Sequence, residues 1–281
     1  MSLNIYLAYD GSINADWVSR YAIHMAANAA SRKIVLIHIL DGNYSVEKIN
    51  AKIQLLEDEC LAEGVELVRD IRPVTKSVYF SLLTAIPAGS ENLCICGARI
   101  SSRGKGFLAG TISEKLLRRK HFNVLAIRVV KPGLLGLPRQ VFFPLSGHPR
   151  GLKGVMALFQ LMVPQIEKVH LLRVMSVSSY WFQYMPEAKI KKMRLIGGAY
   201  LKEVLKEIRQ QLDGAATHID GTVILSDDWA KEILIQASHV QAQMIIMGAS
   251  DRNLPSRFFY GNKIEQILRR TPCDVGIYRA L

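Results

Sequence analysis

Short unbroken apolar runs alternate along the chain with longer stretches whose apolar residues recur every three or four positions. The first run, Ile5-Tyr6-Leu7-Ala8-Tyr9, has no polar face, the mark of a strand buried on both sides of a parallel sheet. Residues 14–30 then place Trp17, Tyr21, Ile23 and Met25 among alanines at helical spacing. A strand over 34–40, a helix over 45–62 and a strand over 65–71 follow, the helix carrying Val46, Ile49, Ile53, Leu56 and Cys60 on one stripe. A short helix over 78–86 stops at Pro87 and Gly89. Strands at 93–96 and 124–129 flank a helix that opens at Ile112.

The pattern then repeats. Residues 132–138, rich in Pro and Gly, form a linker between a domain over 1–131 and a domain over 139–281. The second domain has strands over 141–145, 169–174, 223–225, 244–247 and 274–278. Its helices run to about Leu161, over 187–212, over 229–237 and onward from Lys263. Strand–helix alternation, twice over, predicts an α/β fold of two tandem five-stranded parallel sheets with helices on both faces. In such sheets ligands bind beyond the carboxyl ends of the strands, where the strand order reverses. That rule sets Asp10, after the first strand, beside Gly97, after the fourth.

Gly97 to Thr111, G-A-R-I-S-S-R-G-K-G-F-L-A-G-T, joins the fourth strand to a helix, and Gly248 to Asn262 is a second copy with its outer glycines equally spaced. A strand, a glycine-rich loop and a helix start present unpaired backbone N–H groups, a ready anion site. Asp10 either faces that site or caps the first helix beside Ser12 and Asn14. Arg99, Arg103 and Lys105 are either phosphate ligands or solvated loop charges. His38 and His170 fall within apolar strands, at what read as matching points of the repeat, and structural roles are expected for both.

Composition narrows the function. With 49% hydrophobic residues in 281, general disorder is excluded. No run reaches the roughly 18 to 20 apolar residues of a membrane span, and no signal peptide fits before the first strand, so a cytoplasmic protein without a membrane partner is expected. The net charge of +12 invites nucleic acid, but the basic residues are scattered as Arg118-Arg119-Lys120, Lys189-Lys191-Lys192-Arg194 and Arg269-Arg270, without a nucleic-acid motif. Cys94 and Cys96 share one strand face and cannot readily bridge, and C-x-C supplies too few ligands for a metal. No nucleophile–base pair or carboxylate pair has a recognisable spacing, so a binding protein rather than an enzyme is expected. Tyr180-Trp181-Phe182-Gln183-Tyr184-Met185 is an aromatic stretch suited to a subunit contact, a pocket cap or a small satellite core.

At its two glycine loops and its Y-G-N-K-I-E-Q-I-L-R-R-T-P-C-D-V-G-I-Y ending, the chain resembles the universal stress protein family in its tandem two-domain form. The resemblance implies a Rossmann-like, adenine nucleotide alpha hydrolase-like fold that binds ATP, or ADP or AMP, with Mg on the phosphates. It places Ala8, Tyr9, Asp10 and Ile39 at the adenine. Cys96, Gly97 and Arg99 fall near ribose and phosphates, and Gly110, Thr111 and Ile112 at the phosphate-binding helix start. The first loop departs from the family pattern at Ile100. The second half departs further: Ser146 for Asp, Asp251 for glycine and Asn262 for Ser or Thr, within a degenerate site of Pro144, Ser146, Val174, Gly248, Gly261 and Asn262. One nucleotide site, in the first half, is therefore expected. The resemblance also implies pairing of the last strands, 124–129 with 275–278, within one chain, and allows a homodimer.

Overall fold

The computed structural model describes residues 3–98, 111–119, 121–145, 149–182, 184–211, 216–249 and 260–281. The first half runs β1 (Asn4–Ala8), α1 (Ile13–Ala27), β2 (Lys33–Leu40), α2 (Val46–Ala62), β3 (Glu66–Pro73), α3 (Val78–Ala85), β4 (Gly89–Gly97), α4 (Ile112–Arg118) and β5 (Phe122–Arg128). The second runs β6 (Gln140–Leu145), α5 (Pro149–Met162), β7 (Lys168–Ser176), α6 (Ser179–Phe182), α7 (Glu187–Gln211), β8 (His218–Ser226), α8 (Trp229–His239), β9 (Met244–Gly248), α9 (Tyr260–Arg270) and β10 (Asp274–Arg279). Four helices of the first half begin at a hydroxyl cap: Ser12, Ser45, Ser77 and Thr111 each accept from the N–H three residues on.

The strands form one ten-stranded sheet in the order β3-β2-β1-β4-β5-β10-β9-β6-β7-β8. Each half contributes five parallel strands, and β5 and β10 meet antiparallel, Ile127 opposite Gly276. The unbroken apolar runs follow from burial on both faces. One core lies under α1, α2, α5 and α7, with Ile5, Leu7, Ile34, Ile95 and Val141 pointing into it. The other lies under α3, α4, α8 and α9, with Ile37, Cys94, Val124, Ile245 and Val275 pointing the opposite way.

The seam is latched symmetrically. Leu93 pairs with Asn123 and Met244 with Asp274, so Asn123 and Asp274 hold the same place in the repeat. Fully buried Asp274 accepts from the N–H groups of Val130 and Lys131, both at 2.7 Å, and from the Tyr21 hydroxyl of α1. Asn123 accepts from the Leu281 N–H at 2.9 Å and donates to the Ser90 carbonyl at 2.6 Å. Burial holds the Asp274 carboxyl above its ordinary pKa despite three donors. The linker packs as well: a Cβ on Gly136 would come within 2.7 Å of the α1 backbone at Arg20 and Tyr21.

Several element bounds move. β4 starts at Gly89, with a register shift between Gly89 and Leu93, and β8 extends from His218 to Ser226 beyond the predicted 223–225. α9 starts at Tyr260, so Gly261 and Asn262 lie within its first turn. Asn262 is therefore not a helix cap, unlike Thr111 at the corresponding place in the first half.

Candidate functional site

In the first half the chain leaves β1 for α1 on one face of the sheet and leaves β4 for α4 on the other. β1 lies between β2 and β4, with Leu7 opposite both Leu36 and Ile95. The carboxyl ends of β1 and β4 thus diverge into a crevice at the switch point of the sheet. The turn entering α1 is tightly specified. Gly11 has φ +77°, and a Cβ there would meet Ile49 at 2.5 Å. Asp10 Oδ1 accepts from the Ser12 N–H at 3.0 Å, and Ser12 Oγ caps α1 through Ala15 N–H at 3.2 Å. The helix cap is Ser12, while Asp10 shapes the turn and keeps its carboxylate exposed at the strand end.

The expected site residues sort by where their side chains go. Ala8 ends β1 half-buried against the second core. Tyr9 turns its ring into the first core. It is 2% exposed, and its hydroxyl donates to the Asp16 carboxylate, which also pairs with Lys52. Its N–H donates to the Ile37 carbonyl at 3.0 Å, and its carbonyl is held by His38 Nδ1 at 2.8 Å. Burial, then Asp16, push the Tyr9 phenol pKa upward, so it stays a neutral donor. Ile39 and Cys96 are both buried in the second core, on one face of β2 and β4.

Gly97 closes β4 and matters for packing. A Cβ there would lie 2.5 Å from Asn14 Nδ2, so the absent side chain makes room for the Asn14 amide. Thr111 Oγ1 accepts from Glu114 N–H at 3.1 Å and contacts Ser113 Oγ at 3.0 Å, while Ile112 is exposed. Arg99, Ile100, Arg103, Lys105 and Gly110 lie outside the described residues.

The registers give the repeat its true equivalences. Ile5 pairs with Leu93 and Val141 with Met244, each four residues before the glycine that ends its strand. Ile5 also pairs with Ile34, and Val141 with Val169. Counting on, Tyr9 matches Leu145, Ile39 matches Val174, and His38 matches Arg173. His170 instead matches Val35, so the two histidines are not counterparts and lie three residues apart in the repeat. Arg173 Nη1 donates to the Leu145 carbonyl at 3.2 Å, doing in the second half what His38 does for Tyr9 in the first. Sequence reasoning missed Arg173, since its role depends on strand register.

In the second half, Pro144 is half-buried, Val174 is 9% exposed and Gly248 is exposed. A Cβ on Gly248 would meet nothing within 4 Å among the described residues. Arg173 lies over the Tyr200 ring at 5.6 Å, and burial lowers its pKa. Lys263 bonds Asp228 Oδ1 at 3.2 Å and lies 5.7 Å from the centre of the Trp229 ring, so it is held beside α8. Ser146, Asp251, Arg252 and Arg257 lie outside the described residues, as does the side chain of Asn262. Among the described residues, no group of three or more His, Cys, Asp or Glu could hold a metal ion, and no helix is long and apolar enough to cross a membrane.

A sequence model described as "Universal stress protein family" matches residues 139–279. Solved structures match over the whole chain. One is a universal stress protein from Archaeoglobus fulgidus DSM 4304, 17% identical, covering 99% of this chain and 96% of that one with a TM-score of 0.59. Another is a functionally unknown protein from Pseudomonas aeruginosa PAO1, 14% identical, covering 99% and 93% with a TM-score of 0.56. A third is the cytoplasmic domain of a prokaryotic cation chloride cotransporter, 9% identical, covering 99% and 95% with a TM-score of 0.60. At these identities the likeness is one of fold. No curated protein sequence matches the chain.

Proposed function

Since the chain belongs to the universal stress protein family, we propose that it binds one adenine nucleotide, ATP or its ADP or AMP relatives, in the first half. The observation that carries this reading is the switch-point crevice, where Asp10 is fixed and exposed beside the carboxyl end of β4. Asp10 offers an acceptor to the base or sugar, and Thr111 opens α4 with its oxygen as the helix cap. Magnesium would ride on the phosphates, which carry the oxygen ligands it prefers. Bound nucleotide would bias conformation or partner choice through its different affinity for two states, with no turnover required. We place this activity in the cytoplasm.

Calorimetric titration of the full chain with Mg·ATP, ADP and AMP tests the reading. One site per chain is the expected result. Two equivalent sites would move the second half back into play. No heat and no thermal shift at millimolar nucleotide would leave a scaffold that keeps the fold without the ligand.

A further inference from the structure

The longest helix of the second half, α7, has a surface that the fold leaves uncovered. Its buried residues are Gly197, Leu201, Val204 and Ile208, so full burial begins at Gly197, where a Cβ would lie 2.6 Å from Val223. Residues 187–196 precede it: Ile190 and Met193 are half-buried and the rest are exposed. Lys189, Lys191, Lys192 and Arg194 are all exposed there, and none forms an ion pair among the described residues. Leu195 is 67% and Ile196 55% exposed. Lys191 and Lys192 stand one turn before them, so each apolar residue has a cation as its i−4 neighbour. Just upstream, Tyr180 and Tyr184 are 77% and 76% exposed.

We propose that residues 187–196, with Tyr180 and Tyr184, dock reversibly on an anionic lipid surface. The charge selects the occupant. A second copy of this face would set lysines against lysines. A partner helix seated in a groove asks for apolar anchors at i, i+3, i+4 and i+7, whereas Leu195 and Ile196 are adjacent and follow a run of cations. A bilayer surface asks for what is present: apolar residues to insert shallowly, tyrosines to sit at headgroup depth, and long cationic stems that reach anionic headgroups. Such a contact needs no membrane span. Each cation near an anionic surface strengthens partitioning about fivefold, so four support reversible but measurable binding.

The test is flotation of the full chain with vesicles of phosphatidylcholine alone, and of phosphatidylcholine with phosphatidylserine in a three-to-one ratio. The proposal expects flotation with the second vesicle only, fading as salt shortens the Debye length from about 10 Å at 0.1 M. Changing Lys191→Gln together with Lys192→Gln should weaken partitioning about 25-fold, and Leu195→Ser with Ile196→Ser should weaken it again. All four side chains are exposed, so melting temperatures should hold and a lost contact can be told from a lost fold. Equal flotation with both vesicles, none with either, or undiminished binding by the lysine variant would overturn the proposal. So would a dimer in sedimentation velocity that Leu195→Ser disperses, since that result puts a second copy on the face.

Discussion

The two halves meet the same backbone requirement with different side chains. At the end of each first strand a carbonyl must be held, and a residue from the second strand holds it: His38 for Tyr9, Arg173 for Leu145. In the first half the holder is a buried imidazole, and the neighbouring phenol, carboxylate and Lys52 complete a local network. In the second half it is a half-buried guanidinium lying over Tyr200. A repeat can therefore preserve its main-chain geometry while the chemistry at its crevice changes. Ligand binding is then a property of each half's side chains rather than of the fold.

The strongest way to break the comparison is at the seam, where equivalent latches differ. Asp274→Ala would orphan the buried Tyr21 hydroxyl and take the acceptor from the partly exposed N–H groups of Val130 and Lys131, and is expected to cost about 2 to 4 kcal/mol. Asn123→Ala frees one N–H, of the terminal Leu281, and one carbonyl. About 1 to 2 kcal/mol is expected there. Urea melts of both variants check the order, and a single transition in each would show that the halves unfold as one body. Equal costs would mean that the extra donors on Asp274 contribute nothing beyond its desolvation.

The carbonyl holders come next. His38→Ala leaves the buried Tyr9 carbonyl without its donor and should cost about 1 to 2 kcal/mol. Arg173→Ala loses the matching bond, but water can reach that half-buried site, so about 1 kcal/mol or less is expected. The reverse order in urea melts would show that the second half depends more on its strand-end geometry than the first.

Much of this architecture was legible because doubly buried parallel strands leave unbroken apolar runs and helices leave stripes with hydroxyl caps. What stayed hidden depended on pairing between distant segments. Ser90 and Glu91 are polar and exposed, so the apolar run gave no sign that β4 begins at Gly89. β8, at the sheet edge, is only partly covered and carries Asp220, Gly221 and Thr222, so its first residues read as loop. Asp274 read as the start of a strand, because nothing local announces that a carboxylate will receive donors from residues over a hundred positions away. The inward turn of Tyr9 was hidden for the same reason: an apolar run shows that a strand is buried, and only packing against α1 shows which face each ring takes.

The strand-end glycines sharpen the comparison at the ligand. Gly97→Val would drive the Asn14 amide out of its place beside the crevice, whereas a Cβ on Gly248 would meet nothing within 4 Å among the described residues. On the proposed function, Gly97→Val should weaken adenine nucleotide about tenfold, the scale of one lost polar contact, and Gly248→Val should leave the affinity unchanged. Titration calorimetry of the pair decides it. A matching loss from both would place the nucleotide in both halves.

The smallest expected effect concerns protons. His170 Nδ1 lies 2.6 Å from Asp220 Oδ1, with Lys168 and His218 around the same carboxylate, while the equivalent residue in the first half is Val35. Burial lowers the His170 pKa, outweighing the raising effect of Asp220. A histidine whose folded pKa lies below its unfolded value of about 6.5 contributes stability that is present above that value. The contribution is lost as pH falls through the folded pKa, because the unfolded chain takes up the proton more readily. His170→Val copies the first half and removes the titration, leaving Asp220 with Lys168 as partner. Stability measured by urea from pH 7 to pH 5 should fall more steeply for the natural chain than for the variant, by under about 1 kcal/mol. Parallel curves would mean that Asp220 offsets the burial of His170 in full, and the two halves would then share the same acid response despite the exchange of valine for histidine.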